Sequence, residues 1–187
     1  MTWMLGLATL YAVAAGTVAS GARSPGESLC SPRTGCASTV LQQLHMRGAR
    51  ATLGSLYSNQ AAWGKLLANV GKGERAWLEV AEQLRRASDA GASEQLDLAI
   101  GEALVHNPEW VLKASQGGLD LRSVCSGPDV DDPRYDSYEA AIEAIRKREK
   151  AVRGVQTPAL RDARKKCREA LEEAAQSIAT FYGRATK

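Results

Sequence analysis

Between Trp77 and Leu84 the apolar residues stand at i, i+3, i+4 and i+7, as Trp77, Val80, Ala81 and Leu84. Glu79, Glu82, Arg85 and Arg86 fall mostly off that line. A helix with 3.6 residues per turn puts such positions on one face, whereas a strand would scatter them over two. The spacing recurs at Trp63, Leu66, Leu67 and Val70, then at Leu96, Ala99, Ile100, Ala103 and Leu104. It returns at Tyr138, Ala141, Ile142, Ile145 and Val152. The longest stripe is Leu160, Ala163, Cys167, Leu171, Ala174, Ile178 and Phe181. No strand-like alternation and no Asn-Gly hairpin turn interrupts this pattern.

Boundary residues divide the stripes. Val40, Leu41 and Leu44 open a helical pattern that Leu53, Leu56 and Tyr57 continue after Gly48. Asn59 is a cap for the next helix, and Gly71 is read as its stop. Gly73 opens a turn, and Ser88-Asp89-Ala90-Gly91 ends the Trp77 helix. Ser93 is read as the following N-cap. Asn107-Pro108 and Thr157-Pro158 place a cap before proline at the first helical position. Gly117-Gly118 closes the Trp110 helix, and Asp136 with Glu139 resembles a capping box. The expectation is an all-α antiparallel array or irregular bundle of about six to seven helices, HEAT-like where consecutive helix pairs run from Asn59 to Ala114.

Composition agrees with helices. Aromatics are 5% of the chain, so burial rests mainly on Leu, Ala, Val and Ile, and alanine-rich cores favour close-packed helices. A net charge of +3 is far from the excess of a nucleic-acid binder.

Residues Met1 to Ala22 contain no Asp, Glu, Lys or Arg. An apolar run from Trp3 to Val13 gives way to small residues, and Ser20-Gly21-Ala22 fits a signal-peptidase site. The first region lacks Lys and Arg, so a retained anchor or a buried N-terminal helix are the alternatives to a cleaved signal peptide over 1–22. A Ser/Pro/Gly-rich linker over 23–36 then leads to a single helical domain over 37–187. Cys30, Cys36, Cys125 and Cys167 are an even set in an exported chain, which reads as two disulfides with three connectivities. Cys30 and Cys36 bracket Pro32 and Gly35 and would close a small loop. Cys125, at a helix end, would pin the helix carrying Cys167. The preferred pairing is therefore Cys30–Cys36 with Cys125–Cys167. Zinc is disfavoured by the spacing, with only His45 and His106 to add imidazoles.

The stretch Trp77-Leu78-Glu79-Val80-Ala81, through Ser88-Asp89-Ala90-Gly91-Ala92-Ser93-Glu94, to Ala103-Leu104-Val105-His106-Asn107-Pro108 and Val124-Cys125, resembles a group of small exported bacterial helical proteins of unknown function. The likeness covers roughly the middle third of the chain, plus a later cysteine like Cys167. It implies export and a helical fold, and nothing about chemistry.

No residue set reads as a catalytic, cofactor or metal site. Asp129, Asp131, Asp132 and Asp136 suggest calcium, but Pro133 and Arg134 stand where an EF-hand loop needs an oxygen ligand and glycine. These acids are read as a solvated loop ahead of a helix N-terminus. Asp89 and Ser93 with His106 lack any arrangement that would activate a serine. They are read as turn and cap residues, with His106 at a helix C-terminus. Trp63, Trp77 and Trp110 are read as core. From Arg134 onward there are 13 Lys and Arg against 8 Asp and Glu. Arg146, Arg148, Lys150, Arg164 and Lys165 are the candidate binding surface in that section. The competing reading is a salt-bridged helix face, since Glu143 with Lys147 and Asp162 with Lys166 are helix neighbours.

The resulting expectation is a non-enzymatic periplasmic or secreted module, of immunity or inhibitor type, that binds another extracytoplasmic protein. It has no cofactor, no nucleic-acid partner and no membrane span after signal cleavage. The alternatives are a small envelope-polymer hydrolase using Glu102, Glu109 or Asp89, and a structural cell-envelope component.

Overall fold

The computed structural model describes residues 36–184. The expected leader, the linker before Cys36 and the Cys30–Cys36 pairing lie outside the described side chains. Among the described residues nine α-helices follow in order: α1 (Cys36–Arg47), α2 (Ala49–Tyr57), α3 (Gln60–Gly71), α4 (Arg75–Arg85), α5 (Ala90–Ala103), α6 (Pro108–Ala114), α7 (Leu121–Val124), α8 (Tyr138–Gly154) and α9 (Arg161–Phe181). No strand occurs among the described residues. Two of these elements go beyond the stripes legible in the sequence. Gly48 splits the first pattern into α1 and α2, and α7 is a single turn too short to show a period.

The stripes are the core. On α4, Trp77, Leu78, Val80, Ala81 and Leu84 are all buried. Leu96, Ile100 and Leu104 of the α5 segment have no exposed surface. Full burial of each such side chain contributes roughly 1.5–3 kcal/mol. Trp63 and Trp77 are buried as expected, whereas Trp110 is half-buried against the core.

α5 lies at the centre, touching α3, α4, α6 and α7. α8 and α9 pair as an antiparallel hairpin. The Tyr182 hydroxyl at the end of α9 donates to Tyr135 O just before α8 (2.6 Å), and Arg164 near the start of α9 reaches Val155 O just past α8. α9 also packs on α6 and α7, so the chain closes into an irregular bundle. Cys125 and Cys167 are joined, with Sγ atoms 1.99 Å and Cα atoms 5.3 Å apart. The bond ties the end of α7 to the middle of α9, as the preferred pairing expected.

Local geometry corrects four boundary expectations. Gly71 is the last residue of α3, and the stop is Gly73, at φ +74°. A side chain there would also meet the His106 Cβ at 2.7 Å. The N-cap of α5 is Asp89 rather than Ser93, because Asp89 has extended backbone and its carbonyl accepts from Ser93 N at 2.8 Å. Ser93 is inside the helix, with its hydroxyl 2.7 Å from that of Ser88. Ser137, not Asp136, caps α8, with its Oγ accepting from Ala140 N at 3.3 Å. Asp136 instead closes the 3₁₀ turn Pro133–Tyr135. Thr157 gives no side-chain cap; its hydroxyl donates to Glu109 Oε1 at 2.6 Å, and a 3₁₀ turn, Pro158–Leu160, precedes α9. Asn59 and Asn107 cap α3 and α6 as expected. No helix of the described residues is long and apolar enough to cross a membrane.

Candidate functional site

Buried polar groups in a helical bundle need partners. Three residues of the described chain are both polar and buried: Thr52, Asp97 and Arg148. The Thr52 hydroxyl donates to Gly48 O at 2.9 Å, which ties off the first turn of α2. Asp97 is held by Arg85. Arg148 is the exception among the charged residues: no carboxylate of the described residues pairs with it, and it donates to a backbone carbonyl, Ser126 O, at 2.7 Å.

Arg148 sits on the buried face of α8, between Ile145 and Val152. This overturns its place in the candidate binding surface: at 2% exposure it is not a surface residue. The reason is periodicity. Ile145, Arg148 and Val152 fall at i, i+3 and i+7, so the helix turns Arg148 inward while its neighbours Arg146 and Lys147 turn outward. Burial lowers the affinity of this guanidinium for its proton; Tyr135 and Glu102 nearby oppose that shift and Arg134 adds to it.

Arg148 lines a cleft of about 350 Å³. α3 contributes Gly64 and Leu67, and α5 contributes Gln95, Leu98 and Glu102. The loop from 126 to 135 adds Asp129, Asp132, Arg134 and Tyr135. One wall is fixed by Trp63, whose indole N–H donates to Gln95 Oε1. Another is fixed by Arg134. Its Nη2 donates to Glu102 Oε1 and to Asp132 Oδ2, both at 2.6 Å, and its guanidinium lies 5.3 Å from the centre of the Tyr135 ring. These hydrogen bonds hold Asp132 below the usual carboxylate range and Arg134 above the usual arginine range.

A second trough, of about 450 Å³, adjoins the cleft and shares Leu98 and Asp129 with it. Its lining includes Val130, Ile178 and Phe181. Phe181 is 64% exposed, although it ends the apolar stripe of α9.

The remaining expected site residues do not converge. Arg146 and Lys150 are exposed on the outer side of α8. Arg164 is half-buried on Val155 O, and Lys165 pairs with Glu169 at 3.8 Å. Lys147 pairs with Glu143 at 3.9 Å, and Arg153 pairs with Glu149. The basic section is thus laced with opposite charge. Glu102 is bound to Arg134 and Glu109 to Thr157, while Asp89 is an exposed cap. His106 is exposed just past α5. In the acidic loop, Asp132 is turned to Arg134, and Asp129 Oδ1 accepts from Asp131 N at 3.0 Å.

Compared with protein-family models, with curated proteins and with solved structures, the chain matches none.

Proposed function

We propose that this chain is an exported, non-catalytic helical protein that binds another extracytoplasmic protein. The face used is the one where α5, the 126–135 loop and α9 meet. The observation that carries this reading is the join of a charged cleft to an apolar trough whose edge bears Phe181, 64% exposed. Exposed aromatic side chains beside ordered polar groups are the usual anchors of protein interfaces. Export is supported by the apolar leader in the sequence and by the Cys125–Cys167 bond, since disulfides persist in oxidising compartments. An intact mass matching residues 23–187 less four hydrogens would agree with cleavage and two disulfides. A full-length mass with free thiols would end the export reading.

The binding reading is tested by cross-linked capture from the host's envelope fraction, with wild-type protein and Phe181→Glu in parallel. Phe181 is exposed, so the variant leaves the core intact. The expected result is a stable partner on the wild type that falls at least about tenfold on the variant. Capture of nothing above background, or equal capture by both, would overturn it.

A further inference from the structure

The other arginines whose side chains cross between elements to a carboxylate stand within ion-pair distance of it: Arg85 reaches Asp97, Arg122 reaches Glu173, Arg134 reaches Glu102 and Arg184 reaches Glu139. Arg148 is more deeply buried than any of these, yet no carboxylate of the described residues lies within ion-pair distance of it. A guanidinium carries five N–H donors in a planar fork, and Ser126 O takes one of them. Glu102 and Asp132 are tied to Arg134, and Asp129, whose Oδ1 accepts from Asp131 N, keeps its charge exposed to solvent and is not paired with Arg148.

A buried cation with no carboxylate in contact is a standing cost to the fold; the charge of nearby Glu102 offsets it in part, and an anion bound directly to the guanidinium would relieve the rest. Arg148 lines the cleft, so the cleft is the side from which an anion can reach it. The guanidinium fork matches a planar carboxylate, which takes two parallel N–H bonds. The space suits a small organic group, and Leu67, Leu98 and the Tyr135 ring offer apolar contact to its carbon skeleton.

We propose that the cleft between α3, α5 and the 126–135 loop is a binding site for a carboxylate group, which docks on the guanidinium of Arg148. The carboxylate belongs either to a small organic acid or to the free end of a peptide. The proposal concerns the isolated chain and stands independently of whether the face also binds a partner protein.

The test uses the purified, disulfide-bonded chain and NMR of its backbone amides and arginine Nε–H groups, at fixed ionic strength. The probes are acetate against acetamide, and N-acetyl-dialanine with a free against an amidated terminus. The expected result is a saturable shift of the Arg148 Nε–H and of the Leu98 and Tyr135 amides with at least one charged probe. The matching amide should bind at least about tenfold more weakly. The tighter charged probe tells which source is preferred. Arg148→Met should abolish the shifts, and Arg148→Lys, which keeps the charge but not the fork, should weaken them. No saturable shift with either acid, equal response to acid and amide, or full binding by Arg148→Met would each overturn the proposal. The comparison of acid with amide needs no variant, so a misfolded Arg148→Met leaves the test intact.

Discussion

Arg85 donates two hydrogen bonds, of 2.7 and 3.0 Å, to the two carboxylate oxygens of Asp97, and so clamps α4 to the central helix α5. Asp97 is 6% exposed, while the Arg85 side chain keeps 28% of its surface in solvent. The pair raises the Arg85 pKa, chiefly through the hydrogen bonds. Removal of the acid strands the arginine only partly, since it can turn to water. Asp97→Ala is therefore expected to cost about 2–3 kcal/mol, at the lower end for a buried ionic pair. Urea denaturation measures this directly. A loss under about 0.5 kcal/mol would show that the clamp is no stronger than a surface pair.

The second prediction concerns the covalent tie. Cys125 and Cys167 are 42 residues apart in sequence and fully buried. Closing a loop of that length in the unfolded chain is worth about 4 kcal/mol in the chain-entropy account. The Cys125→Ala, Cys167→Ala double variant should lose stability of that order in guanidinium denaturation. Its denaturant dependence should also steepen, because the unfolded chain opens further. Unchanged stability would mean that α7 is held by packing alone.

These two contacts also show where the sequence was readable. The Cys125–Cys167 pairing was accessible because Cys167 stands on an apolar stripe and Cys125 at a helix end. The α4 and α9 faces were accessible because their 3–4 spacing is uninterrupted. α7 was not: four residues cannot show a period, and Leu121–Val124 is instead held by the Asp120 cap, the disulfide and the close approach of α5. Neither inward-turned charge stands out from composition: Arg148 reads as part of the basic surface with Arg146 and Lys150, and Asp97 draws no assignment. Their spacing was the available signal. Asp97 stands with Ile100 and Leu104 at i, i+3 and i+7, and Arg148 stands with Ile145 and Val152. A charged residue on an apolar stripe is turned inward by the helix, whatever the composition of its neighbours.

The close approach of α5 to α7 supplies a prediction whose sign is unusual. Gly101 lies inside α5, where alanine normally favours the helix by about 1 kcal/mol. A Cβ at this position would stand 2.5 Å from Val124 O, a backbone atom that cannot swing aside. Gly101→Ala should therefore destabilise by about 1–3 kcal/mol, as over-packing does. Gly54 in α2 is the control, since nothing lies within 4 Å of a Cβ built there. Gly54→Ala should stabilise by up to about 1 kcal/mol. Thermal melts of the two variants should move in opposite directions. A rise for both would show that α7 shifts freely and that the α5–α7 contact is not tight.

Acid sensitivity should follow from two loop carboxylates. Asp120 is held below the usual carboxylate range first by the backbone N–H of Arg122 and then by the Ser123 hydroxyl. Asp132 is held below it mainly by the Arg134 side chain. Each folded-state pKa is depressed, so the unfolded chain binds more protons as pH falls through the ordinary aspartate range near about 4. The stabilisation from these groups is fully present above that range. It declines as pH drops through it and is gone once pH passes below the folded-state values. Urea denaturation at several pH values between about 6 and 2 should show this loss. Asp120→Asn keeps a capping oxygen on α7 but cannot titrate, and Asp132→Asn does the same for the 3₁₀ turn at Pro133. The double variant should be less stable than wild type at neutral pH, and its stability should fall less steeply in acid. An identical acid slope for the variant and the wild type would place the acid-sensitive groups elsewhere in the chain.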